Sequence, residues 1–322
     1  LDVQGQLSST RNVVINNASN ILDTNTNQVS LGVLSGTGSI SKSGTGDLIL
    51  NQNSQNYSGT ITVNEASVVV GADEALGTGQ TVLNKDTVLK TNVAVNLANK
   101  IEVNQQATID TMDKNSTLNG VVSGTANLDK VGSGSLSLNG VNSFVGELDV
   151  QAGKVIINNA NSLGADGNSV KLQTGTTLAT SADVTAAQKV IATGDVIVDT
   201  MDKNSTLNGV VSGTANLDKV GSGSLSLNGV NSFVGELDVQ AGKVIINNAN
   251  SLGADGNSVK LQTGTTLATS ADVTAAQKVI ATGDVIVDTM DKNSTLNGVV
   301  SGNAAISKAG SGTLSLTGNN TF

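Results

Sequence analysis

An exact internal repeat constrains this 322-residue chain more than any other feature. The segment Asp-Thr-Met-Asp-Lys-Asn that starts at Asp110 recurs at Asp199 and at Asp288, 89 residues apart each time. Residues 110–198 and 199–287 are identical; the third copy matches through Gly302, diverges at Asn303 and runs out at Phe322. A degenerate copy precedes them, in which Ser35-Gly-Thr-Gly-Ser-Ile-Ser-Lys42 corresponds to Ser123-Gly-Thr-Ala-Asn-Leu-Asp-Lys130. The chain therefore divides into 1–109 (degenerate copy and flank), 110–198, 199–287 and a partial copy at 288–322, read as one continuous solenoid. Repeats of this kind cannot bury an apolar face alone and are stable only when stacked on one another.

Within one copy the local period is two. Ser135-Leu-Ser-Leu138, Glu147-Leu-Asp-Val150 and Asp195-Val-Ile-Val198 alternate polar and apolar residues, the pattern of short strands with one buried face. Turn clusters such as Gly132-Ser-Gly134, Gln151-Ala-Gly153 and Gln173-Thr-Gly175 separate them at intervals of roughly 8–12 residues. One segment, Ser181 to Val190, has helical flavour; strand and turn are the better reading, because its counterpart Thr91 to Lys100 alternates cleanly.

Composition narrows the architecture. Pro is absent, where ordinary usage is about 5%, and Pro is excluded from strands paired on both sides. Trp is absent and aromatics are 1% of the chain, too few to anchor a broad globular core or to mark propeller blades. A thin core of Val, Leu, Ile and Ala suits a parallel β-helix, whose coils stack at about 4.8 Å and align like residues in ladders. Asn-rich turns such as Ile157-Asn-Asn-Ala-Asn161 fit such stacking, and each copy is expected to hold about three to four coils. Disorder, the alternative for a Gly-, Ser- and Asn-rich chain, is opposed by the many alternating aliphatic pairs.

The rare residues follow the repeat. Tyr57, Phe144, Phe233 and Phe322 share one position, and Met112, Met201 and Met290 share another. One ring per copy reads as a side chain filling a corner, not as a stacking platform, which needs several rings together. Ser-His-Asp and Cys-His catalysis is excluded because the chain has no His and no Cys, and no Gly-x-Ser-x-Gly elbow occurs. Glu147 and Asp149, copied as Glu236 and Asp238, lie on one strand face; a glycosidase pair is weighed there against a solvated face, and the solvated face is preferred. Asp110, Asp113 and Asn115 offer oxygen ligands without the spacing of a calcium loop. Thr174, Thr176, Thr177 and Thr180 do not form a regular Thr-x-Thr array. No catalytic, cofactor or metal site is assigned, and the chain is expected not to be an enzyme.

Net charge is −9 with 13% charged residues, which gives no basic footprint for nucleic acid. No apolar run reaches the roughly 18 residues of a membrane span. Leu1-Asp2-Val3 opens inside a strand-like pattern, so the chain reads as cut from a longer protein.

The stretch from Lys130 to Gly164 resembles the passenger-associated repeat of bacterial autotransporters. It has a Gly-x-Gly turn, two alternating Leu, an Asn before an aromatic, Gly and Val at strand spacing, and a small-residue stretch ending in Leu-Gly. The resemblance recurs at Lys42–Gly77 and Lys219–Gly253 and begins again at Lys308. It implies a right-handed parallel β-helix exported to the surface of a Gram-negative bacterium, with membrane contact only through a C-terminal β-barrel not visible in this sequence. Two roles are then expected to compete. One is an adhesin that binds a host-surface or extracellular-matrix receptor, or associates with itself, in which identical units supply avidity. The other is a passive stalk presenting an N-terminal head.

Overall fold

The computed structural model describes all 322 residues as forty strands of two to five residues, with no helix and every strand pairing parallel. None of its elements is a helix long and apolar enough to cross a membrane. The chain forms two compact units, Leu1–Ile156 with Asn161–Asn168, and Ile157–Ala160 with Ser169–Phe322.

Each unit is a three-faced parallel β-solenoid. In the first, one sheet runs from Leu7–Ser8 through Val29–Leu31 and Leu48–Leu50 to Leu128–Val131 and Glu147–Val150. A second runs from Ser19–Asp23 to Val122–Gly124. The third face holds Val13–Val14 with Leu34–Ser35 and, further on, Asn96–Leu97 with Ser116–Leu118 and Ser135–Leu138. In the second unit, Thr177–Thr180 begins a sheet that ends at Val300–Gly302, and Val184–Ala186 begins one that ends at Ile306–Ala309. Its third face carries Ser169–Leu172, Lys189–Ala192 and Val211–Gly213, and later Thr274–Ala275, Ser294–Leu296 and Leu314–Leu316.

The alternation in the sequence explains these strands. Ser135–Leu138 buries Leu136 and Leu138 and turns Ser135 and Ser137 outward; Glu147–Val150 does the same with Leu148 and Val150. The core is a column of such Leu, Val and Ile residues, most of them fully buried. Between coils, Asn139 Nδ2 donates to Asn119 Oδ1 at 2.9 Å and Asn228 Nδ2 to Asn208 Oδ1 at 3.0 Å, the amide ladders expected of Asn-rich turns. Ser181 to Val190 is strand and turn, with Val184–Ala186 and the start of Lys189–Ala192.

Coil length corrects one expectation. Register partners on adjacent coils lie 20 residues apart at Leu217 and Leu237, 22 at Glu236 and Ser258, and 23 at Lys243 and Thr266. Coils this short make the repeat longer than three to four turns. From Leu217–Val220, four coils along the same sheet lead to Val300–Gly302, whereas the sequence equivalent of Leu217–Val220 is Ile306–Ala309 on the neighbouring sheet. One repeat is thus four coils plus one face. The first unit shows the same step: Lys42 lies in Ser39–Ser43 on one sheet and its counterpart Lys130 in Leu128–Val131 on another.

Candidate functional site

What recurs in every copy is a loop that interrupts the strands. In the first identical copy it runs from Val141 to Gly146, and Phe144 within it is fully buried. Ser143 N donates to Val122 O and Val145 N to Gly124 O, both at 2.9 Å, so the loop rides on the coil below. Asn142 is buried and clamps it: Oδ1 accepts Val122 N at 2.8 Å and Nδ2 donates to Ser162 O at 2.7 Å. Asn168 closes the far side, donating to Phe144 O at 2.9 Å and Leu163 O at 3.0 Å, and accepting Gly146 N at 2.9 Å. Gly164 ends the small-residue stretch with φ +79, and a Cβ there would stand 2.9 Å from the Phe144 ring. The Leu-Gly ending is therefore the wall of the aromatic pocket. Asn231, Phe233, Gly253 and Asn257 reproduce these contacts. In the degenerate copy Tyr57 takes the ring position, its hydroxyl donating to Thr60 O at 3.2 Å, and burial pushes its pKa up to about 12. The corner-filling reading of the aromatics holds for Tyr57, Phe144 and Phe233, all fully buried; Phe322 is 54% exposed.

A second recurring feature is a buried ammonium. Lys130 occupies an inward position of Leu128–Val131 and is fully buried. Its Nζ donates to Val131 O at 3.0 Å, Gly132 O at 2.8 Å and Ala152 O at 2.9 Å. Lys219 repeats this with Val220 O, Gly221 O and Ala241 O. Burial pushes both lysines down to about 8, opposed by the charges of Asp110 and Asp199 respectively. Lys42 is lowered for the same reason and caps Gly44 O and Glu65 O. The spacing Leu-x-Lys, with Lys in step with buried Leu, was the signal in the sequence, and a polar reading of Lys as a surface residue passes over it.

The Met position is a strained turn. Met112, Met201 and Met290 have φ of +53, +51 and +51, a left-handed conformation that a long side chain rarely takes. Asp110, Asp199 and Asp288 hold these turns, each Oδ1 accepting the Met N at 2.7–2.9 Å. Asn25 fills the equivalent turn of the degenerate copy at φ +48.

The remaining candidates are engaged elsewhere. Asp110 holds the Met112 turn, Asp113 pairs with Lys114 at 2.9 Å, and Asn115 Oδ1 accepts Ser135 N and Oγ. Glu147 and Asp149 do share an outward strand face. In the second copy Asp238 is held by Lys260 at 3.2 Å and Gln262 at 2.9 Å, and Glu236 accepts Ser258 Oγ at 3.1 Å. Asp218, beside them, is raised by partial burial and by the charges of Asp238 and Asp195. Thr176, Thr177 and Thr180 are buried, so they present no outer Thr surface. The surface of the second unit has a shallow polar depression lined by Asp202, Asn204, Ser222, Ser224, Ser226 and Lys243. Around the loop, Val141 and Val145, and likewise Val230 and Val234, are 65% and 54% exposed.

Comparison with known proteins agrees with this motif. The family described as Passenger-associated-transport-repeat matches at residues 40–70, 128–157, 217–246 and 306–322, each match opening on the strand that carries the capping lysine. A 222-residue stretch, 66% of the chain, is 31% identical to the protein named Adhesin BmaC autotransporter of Brucella suis biovar 1 (strain 1330). The chain spans only about 6% of that relative's length. No solved structure matches. The recurring lysine-to-aromatic motif and the adhesin relative identify the chain as a member of the passenger-associated-transport-repeat proteins, a repeat stretch of an autotransporter passenger.

Proposed function

We propose that this stretch is an adhesive segment of a passenger displayed on the outer surface of a Gram-negative cell and anchored there by a β-barrel of the full-length protein. Its partners are a host-surface or extracellular-matrix receptor, or other copies of itself, with cell clumping and biofilm as consequences. It acts by binding and not by catalysis. The observation that carries this reading is the shared sequence with a relative named as an adhesin. Supporting it, the outward strand positions carry many Ser, Thr, Asp, Glu and Lys residues among a few Ile, and one 89-residue copy has eight acidic residues against five Lys. Such a surface favours weak polar contacts that gain strength by repetition.

The test is a deletion series in the whole protein on living bacteria, removing one 89-residue copy at a time. Graded loss of clumping or host-cell binding supports adhesion by the repeats. Binding that survives every deletion and disappears only with the region preceding them would leave the repeats as a stalk.

A further inference from the structure

Each identical copy stacks two Asn-Gly pairs on successive coils, Asn119-Gly120 under Asn139-Gly140 and Asn208-Gly209 under Asn228-Gly229; the partial copy sets Asn297-Gly298 under Thr317. Packing fixes the lower glycines. A Cβ on Gly120, Gly209 or Gly298 would collide with the backbone carbonyl of Asn99, Gln188 or Gln277 on the coil below. The lower asparagines, Asn119, Asn208 and Asn297, are exposed. Each has its amide oxygen held by a donor from the coil above: Asn139 Nδ2 at 2.9 Å, Asn228 Nδ2 at 3.0 Å and Thr317 Oγ1 at 2.6 Å. In the second unit the backbone nitrogens of Asn208 and Asn297 donate to Ala186 O and Ala275 O, both at 2.8 Å, while Gly209 N and Gly298 N make no backbone hydrogen bond.

We propose that Asn119, Asn208 and Asn297 are self-modifying sites, at which the chain turns its own amide into an acid without an enzyme. Gly209 N attacks Asn208 Cγ and the new N–Cγ bond closes a succinimide ring. The Cγ–Nδ2 bond breaks, and Nδ2 leaves as ammonia, the proton lost from Gly209 N reaching it through solvent. Water then opens the ring at either carbonyl and leaves aspartate or isoaspartate at position 208. The balance is one water consumed and one ammonia released. Negative charge develops on Asn208 Oδ1 as the nitrogen adds, and Asn228 Nδ2 is aimed at that atom beforehand, the placement of an oxyanion donor. The upper asparagine is placed differently, because Asn228 commits its own Nδ2, the would-be leaving group, to that bond. Both residues sit in the same Leu-Asn-Gly-Val sequence, so the unassisted chemistry treats them alike and a difference in rate comes from the fold. Each conversion adds one negative charge to a chain of net −9, whatever its surface binds.

Trypsin separates the positions. Residues 115–130 and their copy 204–219 carry the lower asparagine, 131–154 and 220–243 carry the upper one, and 293–308 carry Asn297 in a peptide of different sequence. The folded 322-residue chain would be held in mildly alkaline buffer, sampled over days and digested, and the conversion at each Asn-Gly read by peptide mass and fragmentation. The lower position should convert several-fold faster than the upper in the folded chain, and the two should convert alike in urea. Thr317→Val removes one exposed hydroxyl and should slow Asn297 by about two- to tenfold, the worth of one hydrogen bond, with 115–130 and 204–219 unchanged as the internal standard. Thr317→Ser keeps the donor and should keep the rate. Equal rates at lower and upper positions in the folded chain, conversion in urea only, or an Asn297 rate indifferent to Thr317→Val would each overturn the proposal.

Discussion

The buried lysines give the sharpest test of how this core is held. In Lys219 an ammonium has been taken out of water and handed three backbone carbonyls instead, with Nζ at 3.0 Å from Val220 O, 2.7 Å from Gly221 O and 2.9 Å from Ala241 O. Desolvation prevails over these contacts, and the group falls from 10.5 to about 8. A lysine depressed in the folded state is protonated only in the unfolded chain between those two values. There the unfolded state binds more protons, so stability rises with pH from about 8 to about 10.5 and is flat below 8. At 1.36 kcal/mol for each pH unit, the gain is ~3 kcal/mol for this one residue. Lys219→Met removes the titrating group and withdraws its donor from Gly221 O and Ala241 O; Val220 O keeps Thr200 N at 3.2 Å. Exposed lysines lose their charge in wild type and variant alike, so they cancel in the comparison. Urea unfolding followed by far-ultraviolet circular dichroism at pH 7.5 and pH 10.5 should show the variant's deficit widening by ~3 kcal/mol at the higher pH. A deficit that stays constant would refute desolvation as the dominant effect, and one that narrows as the pH rises would make the carbonyl cage a net stabiliser of the charge.

Three further substitutions test the loop and the turn. Met201→Asn should stabilise by about 0.5–1 kcal/mol, because Asn tolerates the φ of +51 that Met is forced into, as Asn25 already does; the midpoint of thermal unfolding reads it. Phe233→Ala empties a fully buried ring site and should cost about 3–5 kcal/mol in urea unfolding, with faster hydrogen exchange in the Val230 to Gly235 loop. Asn231→Leu leaves Val211 N and Ser251 O buried without their 2.8 Å and 2.7 Å partner and should cost about 2–4 kcal/mol, whereas a matching change at the exposed Val230 should leave stability within about 0.5 kcal/mol.

Much of the fold was legible because one physical rule wrote it. Strict alternation in Ser135–Leu138 and Glu147–Val150 can bury only one face, and an exact repeat with almost no aromatics leaves a thin stacked core as the economical solution. The aromatic corner was legible for the same reason, since Tyr57, Phe144 and Phe233 kept the register of the repeat. The capping lysines were not, because Lys is read as polar by type; only its place in step with Leu128 shows that Lys130 points inward. The Met turns were hidden differently: nothing in Asp-Thr-Met announces a left-handed residue, and only the Asp110 bond to Met112 N explains how it is held. The coil phase was least legible of all. Repeat length is printed in the sequence, but coil length depends on how few residues a turn needs, and that is settled by backbone geometry at Gly132, Gly153 and their kin, with φ of +81 and +73.

That identical sequence can serve on different faces follows from how little each face asks of it. Thr180 and Ser205 share a buried hydroxyl contact at 2.6 Å; their copies Thr269 and Ser294, one face further round in the same unit, share it at 2.7 Å. Inward residues meet only the coils above and below and the aliphatic column between the sheets, and each of these is furnished by the same Leu and Val pattern whichever face is considered. Duplication therefore need not add a whole number of coils to remain foldable. An insertion of four coils and one face stacks as well as one of four, because parallel strands of three or four residues accept any neighbour with the same period. Selection on stability is then nearly blind to phase, and the direction in which each copy looks is free to be set by what the surface must touch.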